Sequence, residues 1–140
     1  MSTRALLSAF FLLITFSIVN ACTCPASPSV EEAIKKSKAV FSGTVMAKLR
    51  EGVKFKVHKV WKGVALPYVY IYTGNIRNDC DAQFEKGESW VVYANQTPLY
   101  KTANSMKPYV ARLMAKGCSR TSRLMEAEED LKLLGTVKKP

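Results

Sequence analysis

The chain has 140 residues, four cysteines, and 21 Lys and Arg against 11 Asp and Glu, a net charge of +10. That length holds one hydrophobic core and is too short for two, and the charge favours acidic or polyanionic surfaces. With one histidine and no glycine-rich phosphate loop, metal-ligand cluster or nucleophile elbow, the common enzyme classes are excluded and a non-catalytic role is expected.

Residues 1–21 read as a secretory signal. Arg4 supplies the positive start, Ala5 to Val19 are almost wholly apolar, and Val19-Asn20-Ala21 offers small or compact residues at the cleavage positions. The apolar stretch is too short and wrongly flanked for a membrane span. Cleavage there leaves residues 22–140 as a single secreted, extracellular domain that begins Cys22-Thr23-Cys24. A cysteine at a new N-terminus gathers a free α-amine, a peptide carbonyl and a cross-linkable side chain in one place. Lipid attachment to Cys22 is the competing use, but Asn20 fits poorly two positions before it.

Ser29-Val30-Glu31-Glu32 has the form of a capping box, and Val30, Ala33 and Ile34 supply an apolar stripe, so a short helix is expected over 30–37. A strand follows over 39–47, with Gly43 marking a bulge or bend. Glu51-Gly52 turns the chain. Val53-Lys54-Phe55-Lys56-Val57 alternates apolar and basic residues. The alternation slips at His58-Lys59-Val60-Trp61, an irregularity that precedes the strand end at Lys62-Gly63. His58 falls on the lysine face, as a solvent-facing strand residue. Three further strands are expected at 68–73, 88–94 and 109–114. A final helix is expected over 123–134, ended by Gly135, with Glu126, Glu128, Glu129 and Asp130 as an exposed face. Asn95-Gln96-Thr97 is a glycosylation sequon, read as lying in a loop after the fourth strand, with Pro98 expected to lower occupancy.

Five short, bent strands flanked by helices predict a mainly β fold, a small five-stranded β-barrel of the OB type, with a sandwich as the alternative. Four cysteines behind a signal predict two disulfides rather than a zinc site, because there is no Cys-x-x-Cys spacing. A Cys22–Cys24 ring across one residue is strained, which leaves two connectivities. Loops this long contribute roughly 4–5 kcal/mol each in the chain-entropy account.

These residues resemble a family. Cys22-Thr23-Cys24 after a signal is similar to the N-terminus of the tissue inhibitors of metalloproteinases, whose N-terminal netrin-like domain is an OB barrel. Ala39-Val40-Phe41-Ser42-Gly43-Thr44-Val45 is similar to that family's first strand. The run from Lys54 to Trp61-Lys62-Gly63 is similar to its second strand, and the residues around Cys80 and Cys118 are similar to the stretches that carry its partner cysteines. The similarity spans nearly all of residues 22–135 and is to the N-terminal domain only. It implies the disulfides Cys22–Cys80 and Cys24–Cys118. It also implies inhibition of secreted or cell-surface zinc metalloproteinases. The amine and carbonyl of Cys22 would chelate the target's zinc, and Thr23 would enter the first primed-side pocket. Cys24 and Pro25 would continue the reactive ridge, with Asn78 and Asp79 as its second part. The protein would have no cofactor of its own. In this chain Pro25 follows the second cysteine directly, Ala26 stands where the family usually has proline, and Asp79 stands where an apolar residue is common.

The alternative is a non-inhibitory netrin-like module that binds an extracellular glycan or receptor, motivated by Lys54, Lys56 and Lys59. Basic residues are spread through the chain without an aromatic–basic RNA-binding motif, so neither nucleic acid nor a membrane is an expected partner. Nothing in the sequence requires more than a monomer.

Overall fold

The computed structural model describes residues 24–63, 66–73, 81–96 and 113–136. Its first element follows from local chemistry. The Ser29 hydroxyl accepts the Glu32 amide at 3.2 Å and starts helix α1, Val30–Lys36. Glu31 and Glu32 in its first turn and Lys35 and Lys36 in its last complement the helix dipole. Lys62 reaches across from the second strand and donates to the carbonyls of Ile34 (2.7 Å) and Lys35 (3.2 Å), satisfying the helix end.

Strand β1 (Ala39–Lys48) pairs antiparallel with β2 (Gly52–Lys62) on one side and with β4 (Ser89–Gln96) on the other. β2 pairs antiparallel with β3 (Tyr68–Tyr72). The two-residue β5, Leu113–Met114, runs parallel to β3 and antiparallel to β4. Five strands thus close a mixed barrel in the order β1-β2-β3-β5-β4 and back to β1, and β6 (Ser122–Arg123) lies along β4. This is the small OB-type barrel with flanking helices that the strand pattern predicts.

The expected irregularities have a register. Across β1 and β2, Val40 faces Lys62 but Phe41 faces Val60, and Ser42 faces Lys59 but Gly43 faces Val57. Trp61 and His58 are therefore bulged residues of β2, the alternation slips between them, and Met46 is a third bulge, on β1. At Gly43 the strands come so close that a Cβ would stand 2.7 Å from the Lys56 carbonyl oxygen. Gly63, with φ +90°, ends β2 in a conformation that side chains disfavour.

Inside the barrel, Phe41, Phe55, Phe84 and Trp90 form a chain of edge-to-face contacts with centroids 5.8, 5.2 and 4.7 Å apart. Phe84 enters from outside the strands and plugs the interior. A second cluster covers the outer face of β1 and β4, where Val40, Val91 and Tyr93 meet Val30 and Ala33 of α1. Ala127 and Leu134 of the C-terminal region complete it.

The C-terminal segment departs from expectation. Arg123 is still extended, because Ser122 and Arg123 pair with Val91 and Trp90. A 3-10 turn (Leu124–Glu126) follows, and helix α2 runs Glu128–Thr136. Gly135 does not end it: the helix runs through this exposed residue to Thr136, and a Cβ there would meet nothing within 4 Å. β4 also outlasts its expected end at Ala94, since Asn95 and Gln96 pair with Met114 and Leu113. Of the expected fifth strand, 113–114 is β5, and 109–112 lie outside the described residues.

Candidate functional site

Cys24 and Pro25 are exposed at the start of the described chain. Cys24 is joined by a disulfide to Cys118, 94 residues away, with the Cα atoms 5.3 Å apart. Cys118 has φ +58°, a left-handed conformation uncommon outside glycine, and the bridge helps hold it there. The preceding amide, Gly117 N–H, donates to Asp81 Oδ1 at 3.1 Å. The chain at Cys24 and the chain at Asp81 thus both converge on Gly117-Cys118.

A second brace holds Pro28, four residues after Cys24. The Arg120 Nη1 donates to the Pro28 carbonyl at 3.0 Å. The same guanidinium grips Asp130: Nε lies 3.1 Å from both carboxylate oxygens, and Nη2 bonds Oδ1. Nη2 also donates to Glu129 at 3.0 Å. Asp130 accepts one more bond, from the Tyr93 hydroxyl at 2.7 Å. Burial first, and the Asp130 bond second, push the Tyr93 hydroxyl well above the ordinary tyrosine range. The bond to Asp130 is also the main cause that raises Arg120 above the ordinary arginine range. Thr121 ties the segment to β4, its hydroxyl accepting the Tyr93 amide at 3.0 Å.

Asp130 corrects the sequence reading. Glu126, Glu128 and Glu129 are exposed, but Asp130 is only 4% exposed. Its position was legible in the spacing: it stands three residues after Ala127 and four before Leu134, on the apolar stripe rather than beside it. Arg120 carried no such signal.

Of the predicted ridge, Cys24 and Pro25 are described; Cys22, Thr23, Asn78, Asp79 and Cys80 lie outside the described residues. Asn95 is half-buried within β4 opposite Met114, not in a loop after the strand. His58 is exposed, as expected, and its Nε2 shares a 2.7 Å hydrogen bond with Thr44 Oγ1, which lies 2.8 Å from Ser89 Oγ. A cleft of about 180 Å³ opens beside the converging segments, lined by Lys48, Arg50, Thr73, Asp81, Gln83 and Phe84 among others. Among the described residues, no group of three or more His, Cys, Asp or Glu is placed to hold a metal ion. No described helix is long and apolar enough to cross a membrane. Comparison with protein-family models and with curated proteins finds no match for this chain.

Proposed function

We propose that the protein is a secreted inhibitor of zinc metalloproteinases that acts through the amine and carbonyl of Cys22. In this reading the processed chain begins at Cys22, which is bonded to Cys80. Its α-amine and carbonyl form a five-membered chelate on the target's catalytic zinc and displace the bound water. Thr23 fills the adjoining primed-side pocket, Cys24 and Pro25 extend the ridge, and Asn78 and Asp79 form its second part.

The observation that carries this reading is the double fastening of the chain, within the ridge at Cys24 and just behind it at Pro28. Cys24 is bridged to Cys118 and Pro28 is held by Arg120, yet Cys24 and Pro25 remain exposed. A segment held so firmly loses little conformational freedom on binding, which raises affinity without further contacts. Gly117–Asp81 adds to the reading, because it brings the residue after Cys80 beside the residue before Cys118.

The deciding experiment adds one alanine before Cys22, or acetylates its amine, and measures inhibition across a panel of zinc metalloproteinases. Both changes should abolish inhibition while the circular-dichroism spectrum and unfolding midpoint stay unchanged. An extended form that inhibits as well as the native one rules out chelation by this amine. Intact mass of the secreted product checks that it starts at Cys22, unmodified by lipid.

A further inference from the structure

The outer face of β2 and β3 carries a second feature that the inhibitory reading does not use. Register places Lys54 opposite Tyr70 and Lys56 opposite Tyr68, so these four side chains share one face. That face is the outer one, since Val53, Phe55 and Ile71 between them fill the barrel. The Lys54 ammonium lies 4.5 Å from the Tyr68 ring centroid and 5.9 Å from that of Tyr70. Further along, Lys59 lies 5.2 Å from the Trp61 ring.

Three properties make this more than a solvated strand. β2 and β3 contain no Asp or Glu, and among the described residues Lys54, Lys56 and Lys59 have no ion-pair partner. The two helices pack on the outside of β1 and β4, whereas Lys56, Lys59 and Tyr68 are exposed. Lysines laid over aromatic rings are also partly ordered before any ligand arrives, which lowers the entropy cost of binding.

We propose that this face binds a sulfated glycan chain, with Lys54, Lys56 and Lys59 contacting sulfates and the Tyr68 and Tyr70 rings lying against the sugars. The chemistry matches on both counts. A row of unpaired cations suits a linear polyanion, and a ring face suits the apolar C–H face of a pyranose. The outer surface of strands 2 and 3 is also where small barrels of this type commonly take extended ligands. The proposal is independent of the inhibitory one, because none of these residues belongs to the ridge.

The test titrates the secreted chain with a heparin-derived oligosaccharide over a range of NaCl concentrations. For the K54S/K56S variant, the slope of log Kd against log salt should fall by roughly two, one counterion released per lysine. A control that removes two exposed lysines of α1, K35S/K36S, should leave the slope unchanged. Tyr68→Ser, at an exposed site, should weaken binding about three- to tenfold at an unaltered slope, a loss of the size of an aromatic contact. The proposal is overturned if the α1 control lowers the slope as much, or if Tyr68→Ser has no effect. It also fails if single-stranded DNA of matched charge competes equally well, because the surface would then be reading charge without sugar.

Discussion

The Tyr93 hydroxyl donates to Asp130 Oδ2 at 2.7 Å, linking the fourth strand to the last helix where both side chains are buried. Because Arg120 grips the same carboxylate and also holds the Pro28 carbonyl, one aspartate couples strand, helix and N-terminal segment. Asp130→Ala removes the partner of a guanidinium whose side chain is only 15% exposed. Breaking a buried pair from one side costs about 3–5 kcal/mol. Urea unfolding should show a loss of that size, and proteolysis around Pro28 should quicken. A loss below about 1 kcal/mol, the range of surface pairs, would mean that this node does not brace the chain.

The same bond sets an alkaline limit. Tyr93 keeps its proton in the folded state well beyond the pH where an unfolded tyrosine, near pKa 10, loses it. Its contribution is therefore complete below about pH 10 and declines as pH rises above that, because only the unfolded state readily gives up the proton. Unfolding midpoints between about pH 9 and 12 should fall for the native chain, and less steeply for Tyr93→Phe. Identical slopes for the two proteins would contradict the assignment.

The Cys24–Cys118 bridge closes a long loop, with 94 residues of sequence separation. In the chain-entropy account a loop of this size contributes about 4–5 kcal/mol. Replacing both cysteines by serine should lower the urea midpoint accordingly. The barrel should remain folded, since its pairings and interior do not include either residue. The N-terminal segment 24–29, exposed except at Pro28, should become the first site of cleavage. An unchanged cleavage pattern would show that Arg120 alone suffices to fix it.

The barrel was readable in the sequence because its signals are local. Val53, Phe55 and the alternating lysines fix one strand's faces, Gly43 marks a bulge, and Ser29 starts a helix. Even the slip at His58 and Trp61 survives as two unpaired positions in the register. The brace was not readable, because its parts are distant: Tyr93, Arg120, Asp130 and Pro28 come together only once β6 has laid the chain along β4. Asp130 was misjudged for a specific reason: three exposed carboxylates precede it, so composition outweighed its place on the apolar stripe. Likewise β4 extends through Asn95 because of pairing with a two-residue strand whose own sequence signal is weak.

Gly43 tests whether the bulge is required or incidental. A Cβ at this position would press on the backbone oxygen of Lys56 at 2.7 Å, and backbone yields less readily than a flexible side chain. Gly43→Ala must open the pairing of β1 with β2 beside the Phe41–Phe55 contact. Overpacking of this kind costs typically 1–3 kcal/mol, so thermal unfolding should move down by several degrees. A variant as stable as the parent would mean that the strands can separate there without loss.

Inhibition through a chelating amine carries its own pH signature. An ordinary α-amine has a pKa of about 7.7–8.0 and coordinates only when unprotonated, so each unit of acidification below that range removes most of the competent form. The apparent inhibition constant should therefore worsen about tenfold per pH unit between roughly pH 5.5 and 7 and level off above about pH 8. This slope must be measured against an enzyme whose own activity is flat over the interval. The direction separates the mechanism from inhibition that rests on the fit of the ridge alone, which would produce no such slope. Inhibition that is constant from pH 5.5 to 8, with the N-terminal extension still inactive, would place the essential contact on the shape of the ridge rather than on the nitrogen lone pair.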